Sequence, residues 1–554
     1  MQGLLVERRL HKSRMTSGTT YRADKPSGLY AKARPRRRRG NYPAKRIKNT
    51  KRLQVLKKAE QTGVLLIAPE TGRLPEEMGS LARYISGKAG GLGEVVSALC
   101  EGLRARGINC HLATLNLKAR FREESGMDEN VWRQVRYHVD PDRIHLVSSS
   151  IYANLPSPYA GDPLLNAAEF QKELVNNVIK SVRARCGGRL IIHSHDWMAG
   201  GAVTAYAKSR DCPVLHTVHN VHTGHIPIDS LFGVDISSLN WNIYFSHENG
   251  RPCIDSQATA IKSATMVNFV GGKFLREIIE DYFHDRSFIP TSVRQEVKAK
   301  HDNGAAFAII NAPSPRMYPE HYEHLVRRYG PDDDVLAAKR ENLVAFQRRT
   351  GLIVNPDAIL LFWPSRLDET QKGCELLEHI ALKFVIENGD VEIAVVGNGV
   401  DGDRSHEEIM GRIAWASRGK IAYRRFSEPL SMLGYAAAAD VFGASLYEPC
   451  GQIDQIGNLF GATATNRDTG GYHDKIKDLV AAHDEGNGFL FCHYDPGGLW
   501  HGLSRSVAFH RKPPEIREKQ IKRIMREARE RYSLDGMVDQ YLNAYEKLNG
   551  GPLY

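Results

Sequence analysis

Short runs rich in β-branched residues alternate with longer amphipathic stretches from about residue 60 to residue 510. This alternation is typical of α/β proteins in which crossover helices join the strands of a parallel sheet. The strands form two series, which predicts two Rossmann-like domains whose sheets face an interdomain cleft. The predicted strands are Val64–Ala68, Cys110–Thr114, Leu190–His193, Val214–Val218, Met266–Phe269, Ile359–Trp363, Val391–Val396 and Val441–Ala444.

A charged, aperiodic segment at 284–303 separates the two series, and the second resumes near Phe307–Ile310. Two strongly charged helical patterns follow Pro513-Pro514, at 515–532 and 534–547, and should pack on a domain surface. A chain of 554 residues exceeds what one core covers, so several domains are expected. We predict a basic tail (1–60), an N-terminal Rossmann-like domain (61–297), a C-terminal one (298–512) and C-terminal helices (513–554).

The positive net charge of +11 is concentrated at the start of the chain. Residues 1–60 carry about 19 Lys and Arg against about 3 Asp and Glu, which leaves the remainder near −5. A run such as Arg36–Arg39 cannot be packed in a core, so we expect a disordered, solvated tail. A tether to RNA or another acidic surface, a transit-like peptide and a start at Met15 remain alternatives.

Composition excludes several classes of protein. No run of about 18 apolar residues occurs, and no apolar segment is followed by a signal cleavage site, so neither membrane insertion nor secretion is expected. The eight cysteines are scattered without a CxxC pair or a metal-ligand spacing, which favours reduced thiols in a cytoplasmic protein. The slightly acidic globular part lacks interleaved basic and aromatic residues, so nucleic-acid binding is not expected outside the tail.

A glycine-rich turn, Gly87–Glu94, opens a helix after the first strand. Its amides, the positive end of the helix dipole and the Lys88 ammonium would suit a phosphate, although an ordinary tight turn has the same pattern. Polar residues also follow two later strands, at His193–Trp197 and at His216–His225. The histidines of the second segment recur every third residue, which suggests recognition of sugar hydroxyls ahead of a metal cluster.

The second series of strands carries two further polar loops. Arg366 and Lys372 follow a strand and would stabilise the negative charge that grows on a departing diphosphate, or else are solvated cations. Glu448 follows the strand at 441–444 and precedes a helix, which brings together a carboxylate for sugar hydroxyls and an N-terminus for phosphate. Thr469-Gly470-Gly471 offers another cradle of backbone amides.

Taken in order, these segments resemble the glycogen and starch synthases of glycosyltransferase family 5, which have the GT-B fold. The resemblance covers roughly residues 62–510. The family motifs are K-x-G-G-L, H-x-H-D-W, T-x-H-N, S-R-L with Q-K-G, E-P-C-G, T-G-G-x-x-D and G-F-x-F. They are matched by Lys88–Leu92, His193–Trp197, Thr217–Asn220, Ser365–Leu367 with Gln371–Gly373, Glu448–Gly451, Thr469–Asp474 and Gly488–Phe491.

The resemblance implies a retaining transfer of glucose from a nucleotide sugar to the non-reducing end of an α-1,4-glucan, with no metal or other cofactor. The expected donor is ADP-glucose ahead of UDP-glucose. The N-terminal domain would hold the acceptor, the C-terminal domain would hold the donor, and the cleft would close around the phosphates. The sequence does not predict the oligomeric state.

The resemblance also implies roles for individual residues. Arg366 and Lys372 would stabilise the departing diphosphate, and Glu448 would hold the glucosyl hydroxyls and steady the positive charge on the ring. His219 would line the reacting face, and Asp196 would bind sugar hydroxyls of the donor or acceptor. The remaining donor-binding positions are Lys88, Gly90, Gly91, Asn220, Cys450, Gly451, Thr469, Gly470 and Gly471. No residue is placed as a nucleophile, which favours same-face attack assisted by the leaving phosphate.

Some positions depart from the family pattern. Ala89 and Glu94 stand where Thr and Asp are usual, and Met198 replaces a histidine. Asn311-Ala312-Pro313 stands where N-G-[IV]-D is common, and Gln452-Ile453-Asp454 replaces Leu-Thr-Gln. An acid at 454 should weaken diphosphate binding unless it points away or pairs with a cation. A catalytically weak glucan-binding homologue and a GT-B enzyme with another acceptor are therefore the alternative functions.

Overall fold

The computed structural model describes residues 62–132, 139–140, 142–284, 286, 288–400 and 404–553. The predicted basic tail at 1–60 lies outside the described residues. The strands are β1 Thr62–Ile67, β2 Cys110–Leu115, β3 Ile144–Val147, β4 Arg189–His195, β5 Val214–Val218, β6 His225–Pro227, β7 Phe245–Glu248, β8 Arg251–Asp255, β9 Met266–Phe269, β10 Ala306–Ala308, β11 Ile359–Trp363, β12 Val391–Val396, β13 Ile421–Arg424, β14 Asp440–Gly443, β15 Thr463–Arg467 and β16 Gly488–Phe491.

The α-helices lie between these strands and at the C-terminal end. They are α1 Gly91–Ala105, α2 Lys118–Ser125, α3 Glu129–Trp132, α4 Pro163–Glu173, α5 Ile179–Arg185, α6 Gly201–Ser209, α7 Ser256–Ser263, α8 Gly272–Ile279, α9 Thr291–Asp302, α10 Val335–Thr350, α11 Cys374–Glu387, α12 Ser405–Ala416, α13 Glu428–Ala437, α14 Ile453–Leu459, α15 Gly470–Lys475, α16 Pro496–His510, α17 Pro514–Arg531 and α18 Leu534–Asn549. The π-helical turn Leu174–Val178 joins α4 to α5.

Two parallel sheets form the framework of the described chain. The first has the strand order β10-β9-β5-β4-β1-β2-β3, and the second has the order β13-β12-β11-β14-β15-β16. A small antiparallel sheet of β6, β8 and β7 extends from the first half. The predicted α/β class with two Rossmann-like sheets is therefore confirmed.

Helices cover both faces of each parallel sheet, which explains why the strands are continuously apolar. In β11, Leu360 and Phe362 pack into one cluster, whereas Leu361 and Trp363 pack into another on the opposite face. Strand geometry requires this separation, because successive side chains point to opposite faces. Among the described helices, none is long and apolar enough to cross a bilayer.

The domain boundary predicted between residues 297 and 298 is wrong, because it falls inside α9. Strand β10 pairs with β9, so the segment near Phe307, expected to begin the second series, is the edge of the first sheet. Strand β10 is only three residues long and half-buried, so its pattern gave little sign of which sheet it joins. The second sheet begins with β11.

Both predicted C-terminal helices are present, at Pro514–Arg531 and Leu534–Asn549. The last helix, α18, returns to the first half of the chain. There the Tyr545 hydroxyl lies 2.7 Å from Nδ1 of His193, and the Tyr541 hydroxyl accepts a hydrogen bond from Asn268 at 3.0 Å. The end of the chain therefore supports the strand that carries the H-x-H-D-W segment.

Candidate active site

The predicted polar side chains lie where strands of the two parallel sheets end. The carboxyl ends of parallel strands meet at one edge of a sheet, and ligands bind there in folds of this type. The residues that follow the strands are Glu70 after β1, Asp196 after β4, His219 after β5, Arg366 after β11, Glu448 after β14 and Thr469 after β15.

Lys372 and Glu448 form the central pair of the second half. The Lys372 ammonium donates to Oε2 of Glu448 at 2.6 Å, and the Ser445 hydroxyl donates to the same oxygen at 3.0 Å. Only 13% of the Lys372 side chain and 7% of the Glu448 side chain are exposed. Two residues predicted from separate motifs, 76 positions apart, therefore meet in one buried pair.

The Glu448 carboxyl remains ionised near neutral pH. Burial by itself would raise its pKa, but the Lys372 ammonium and the Ser445 hydroxyl outweigh that effect, so the pKa lies below its ordinary value. The buried Glu448 carboxylate in turn holds the Lys372 ammonium in place at this site. A cation and an anion are thus fixed side by side, which suits a reaction in which opposite charges develop on neighbouring groups.

Arg366 lies on the same loop as Lys372 and is more accessible. Its guanidinium donates to Oε1 of Gln371 at 3.1 Å and lies 3.7 Å from Asp368, while half of the side chain is exposed. Burial raises the pKa of both Tyr159 and Tyr447, and the nearby charge of Arg366 offsets a small part of that rise. Tyr159 belongs to the first half of the chain, so Arg366 faces the cleft between the sheets.

The glycine-rich turn after β1 is already held by a carboxylate. Glu70 accepts hydrogen bonds from the amides of Ala89 at 2.6 Å and Gly90 at 2.9 Å. The Lys88 ammonium pairs with Glu94 at 2.8 Å, and both side chains are 28% exposed. The predicted anion site thus contains two acids of the protein itself, and a bound phosphate would have to compete with them or use the remaining donors.

Asp196 and the following strand form a second polar cluster. Oδ1 of Asp196 accepts from the amides of His219 at 2.6 Å and Asn220 at 3.2 Å. On the same loop, Nε2 of His222 lies 3.5 Å from the Tyr447 hydroxyl, which belongs to the second half. Asp196 has a positive φ of 56°, a strained backbone conformation for a residue with a side chain. The carboxylate therefore positions the His219 loop, whereas sequence reasoning assigned it to sugar hydroxyls.

The histidines at these strand ends bond to one another and to hydroxyl groups. His195 Nδ1 lies 2.9 Å from His219 Nε2, His193 lies between Tyr545 and Thr217, and His216 lies 2.8 Å from the Ser194 hydroxyl. Burial lowers the pKa of His219 to about 3, so its ring is neutral near neutral pH. A neutral imidazole can exchange hydrogen bonds with hydroxyl groups, so the recognition of a sugar by His219 stays a prediction.

Asp454, the acid that replaces a neutral residue of the family pattern, pairs with a cation. The Lys475 ammonium contacts Oδ1 of Asp454 at 2.7 Å and also bonds the carbonyl of Gly451, and both side chains of the ion pair are fully buried. Asp454 therefore supports the E-P-C-G loop from beneath. The neighbouring Gln452 side chain instead faces the glycine-rich turn of the first half. A Cβ added at Gly91 would lie only 2.9 Å from its Oε1.

The amides of the predicted T-G-G cradle also hold a carboxylate. The Thr469 hydroxyl and the Gly470 amide donate to Glu277, at 3.2 and 3.1 Å for Oε1. In return, Asp474 accepts from the backbone amide of Lys273 at 3.0 Å through Oδ2. Helices α8 and α15 therefore cap each other across the two halves of the chain, which accounts for the acid of the T-G-G-x-x-D motif.

The glycines of these loops are required by close backbone approach. Gly451 has φ +67°, and a Cβ there would lie 2.3 Å from the Tyr472 ring. At Gly471 a Cβ would lie 2.0 Å from the carbonyl oxygen of Cys450. Cys450 itself is buried, which raises the pKa of its thiol to about 11 and keeps it protonated near neutral pH.

Replacing Gly471 by alanine should therefore displace the E-P-C-G loop. We expect a loss of about 1–3 kcal/mol in the free energy of unfolding, because the new methyl group meets rigid backbone, together with reduced activity. Gly90→Ala is the matched control, since a Cβ there meets no atom within 4 Å. Urea unfolding of both variants measures the difference, and equal stabilities would contradict the close approach.

Sequence reasoning missed three residues of this site: Glu70, Glu277 and Lys475. Glu70 could have been found, because a carboxylate directly after a buried strand is a recognisable signal. Glu277 and Lys475 lie on helices, where acidic and basic residues are ordinary surface residues. The packing of the first half on the second brings Glu277 to Thr469, whereas the packing of α15 beneath the E-P-C-G loop brings Lys475 to Asp454 and Gly451.

The comparisons with known proteins agree with the motifs. Residues 81–287 match the family model "Starch synthase catalytic domain". Similar curated proteins include the glycogen synthase of Bacillus licheniformis, 27% identical over 453 residues (77% of this chain, 89% of that protein). The glycogen synthase of Geobacillus thermodenitrificans is 26% identical over 486 residues (83% and 95%).

Solved structures show the same fold. The catalytic domain of starch synthase IV from Arabidopsis thaliana, bound to ADP and acarbose, superposes with a TM-score of 0.70 at 19% identity, covering 88% of this chain and 99% of that one. Sucrose-phosphate synthase from Thermosynechococcus elongatus gives a TM-score of 0.54 at 16% identity, with the same coverage. The GT-B fold and the resemblance to glycogen and starch synthases are thereby confirmed, and the relatives indicate that the chain is a glycosyltransferase.

Proposed function

We propose that this glycosyltransferase moves glucose from a nucleotide sugar, ADP-glucose ahead of UDP-glucose, to the non-reducing end of an α-1,4-glucan with retention at the anomeric carbon. The observation that carries the proposal is the buried Lys372–Glu448 pair beside the accessible Arg366. These three residues supply the two signs of charge that cleavage of a glycosyl phosphate bond requires. The acceptor is inferred from the relatives.

The chemistry follows from the placement of charge. As the bond from the anomeric carbon to the diphosphate breaks, negative charge grows on the phosphate oxygens and positive charge grows on the sugar ring. Arg366 and Lys372 would bind the departing diphosphate. The bonds from Lys372 and Ser445 both engage Oε2 of Glu448, so among the described residues Oε1 remains available for a glucosyl hydroxyl.

Retention without a covalent intermediate is the preferred mechanism. Cys450 is protonated, Glu448 is tied to Lys372, and the Asp196 carboxylate accepts from two amides, so each is a poor nucleophile. In same-face attack, a departing phosphate oxygen takes the proton of the acceptor hydroxyl as the new glycosidic bond forms. No metal ion or other cofactor is assigned a step in this proposal.

The deciding experiment is a donor and acceptor screen. ADP-glucose and UDP-glucose are each mixed with glycogen and with maltooligosaccharides, and nucleotide release and product length are measured. Release of the nucleoside diphosphate with extension of the glucan supports the proposal, and no release with either donor overturns it. Release only with a different sugar acceptor would instead support a GT-B enzyme of other specificity.

A catalytically weak glucan-binding homologue is the second candidate. It is favoured by the carboxylates that already accept hydrogen bonds from backbone amides of both predicted anion sites. Glu70 accepts from the Gly90 amide, and Glu277 accepts from the Gly470 amide. The distinguishing variant is Glu448→Ala. Retained glucan binding with unchanged turnover would support the second candidate, whereas a collapse of turnover would rule it out.

The pH dependence of Asp196 provides a further test. Burial raises its pKa to about 7, against the opposing effect of the His219 and Asn220 amides. Because the ionised carboxylate accepts both bonds, kcat/KM should fall as the pH drops through about 7. Asp196→Asn should flatten that limb, because the amide oxygen can still accept but does not titrate. A pH–rate profile from 5.5 to 8.5 measures this.

The same pKa shift should make the protein less stable as the pH rises, whereas it makes the enzyme more active. The folded pKa of Asp196 lies above the unfolded value of about 3.9, so the folded state binds more protons between these two values. The free energy of unfolding should therefore fall as the pH rises from about 4 through about 7, and this component should be absent in Asp196→Asn. An unchanged pH dependence of both activity and stability in the variant would contradict the assignment.

A further inference from the structure

A mixed cluster of potential metal ligands lies beside the loop that carries Lys372. Cys374 and Glu378 are four residues apart on α11 and therefore share one face of that helix. His406 lies in the first turn of α12. One donor atom from each of the three side chains lies within 4.8 Å of the others, and Nδ1 of His406 is 2.7 Å from Oε1 of Glu378.

We propose that Cys374, Glu378 and His406 bind one zinc ion that joins α11 to α12. Thiolate, imidazole and carboxylate together are a ligand set that Zn²⁺ accepts in proteins, and the thiolate disfavours Mg²⁺ and Ca²⁺. Three protein ligands leave the fourth tetrahedral position for water. The site is separate from the proposed glucosyl transfer, in which none of the three residues takes part.

Burial gives the cluster the form of a pocket with an open rim. Cys374 is fully buried, whereas 12% of the Glu378 side chain and 16% of the His406 side chain are exposed. A thiol at the bottom and two ligands at the rim would let an ion enter without unfolding of either helix. Glu375 is directed away, since it accepts a hydrogen bond from Tyr494 at 2.6 Å.

A carboxylate also stands behind the histidine. Oε2 of Glu369 lies 3.7 Å from Nε2 of His406, while Nδ1 faces Glu378. Metal-binding histidines usually direct their second nitrogen to such a carboxylate, which fixes the tautomer and raises the basicity of the ligand. Glu369 is largely exposed, with 72% of its side chain accessible, so it can adjust to the ring.

The local field favours a cation. The negative charges of Glu378, Glu375 and Asp368 act on the Cys374 thiol. The same negative potential attracts a divalent ion. On binding, the thiol releases its proton to solvent and the sulfur forms the metal bond, so affinity should increase with pH.

Cobalt(II) is the probe, because a cobalt–thiolate bond gives a near-ultraviolet charge-transfer band. The full-length protein is treated with a chelator, dialysed and titrated with Co²⁺ and then with Zn²⁺. We expect a band that saturates at one equivalent and disappears when zinc displaces cobalt. Cys374→Ser should abolish the band, and His406→Gln should weaken binding by at least about 10-fold.

Two matched variants test for adventitious binding. Cys492→Ser removes an exposed thiol, and His379→Gln removes an exposed imidazole on α11; both should retain the band and the wild-type affinity. Glu369→Gln should lower affinity by about 10-fold without loss of the band. If Cys374→Ser fails to fold by circular dichroism, the affinity of His406→Gln decides the test. The proposal is overturned if no band forms, if it survives Cys374→Ser or disappears in Cys492→Ser, or if His406→Gln binds with unchanged affinity.

Discussion

Replacing Lys372 by alanine should lower kcat for glucosyl transfer by about 10²- to 10³-fold. This is the effect typical of removing one group that stabilises charge in a transition state. Lys372 would act on the departing diphosphate directly, and it also holds Glu448 ionised at 2.6 Å. Initial-rate assays of nucleotide release at saturating donor measure kcat, and the donor KM is obtained from the same data.

Lys383→Ala is the matched control for this prediction. Lys383 lies on α11, the helix that follows the Lys372 loop, and 72% of its side chain is exposed, so the variant should retain activity. Glu448→Gln, tested beside Lys372→Ala and the double variant, shows whether the pair acts as a unit. A double variant no worse than either single one would show that it does. A kcat for Lys372→Ala within about 3-fold of the wild type would refute the assigned role.

The pair also predicts a pH signature. Because the folded pKa of Glu448 is below its ordinary value, its stabilising contribution is present above the unfolded pKa of about 4.3. It is lost as the pH falls through the lower folded value. Without Lys372, burial is opposed by the Ser445 hydroxyl and the charge of Lys475 but no longer by the nearest cation, so the pKa of Glu448 should rise. The stability that ionised Glu448 contributes above a pH of about 4.3 should therefore be smaller in Lys372→Ala, as measured by urea unfolding at a series of pH values.

The strand-end motifs could be found from sequence for a geometric reason. A parallel sheet brings the carboxyl ends of its strands to one edge. Polar residues directly after buried strands, such as Arg366 and Glu448, therefore lie close together irrespective of the conformation of the loops that follow. The helical patterns at the C-terminus were equally clear. Local sequence did not reveal that α18 returns to the first half, because its contact between Tyr545 and His193 joins positions 352 residues apart.

The carboxylates in the predicted phosphate cradles show the limit of motif reasoning. The amides of Gly90 and Gly470 are where the motifs place them, but Glu70 and Glu277 accept their hydrogen bonds. A motif records which backbone groups are exposed by a turn, and it does not record what another segment brings to them. Whether a nucleotide displaces these acids is decided by the donor screen.

Asp454 has the second large expected effect, on stability. Lys475→Met should destabilise the protein by about 3–5 kcal/mol, because it leaves a fully buried carboxylate without its cation. Burial raises the pKa of Asp454 even with Lys475 present, so the unpaired acid should become protonated in the variant. Urea unfolding at neutral pH measures the loss, with Lys477→Met, which changes an exposed lysine two residues away, as the control.

The double variant Asp454→Leu/Lys475→Met separates the pair from its surroundings. Replacing both charges by apolar groups should recover most of the stability, since the desolvation cost of two buried ions disappears with them. Lys475 also bonds the Gly451 carbonyl, so the double variant should keep the fold but position the E-P-C-G loop less well, with a raised donor KM. Stability as poor as in Lys475→Met would mean that the lysine acts through Gly451 and that the acid at 454 is incidental. Recovery of stability with an unchanged donor KM would mean that Lys475 only neutralises the acid at position 454, and that the ion pair does not shape the donor site.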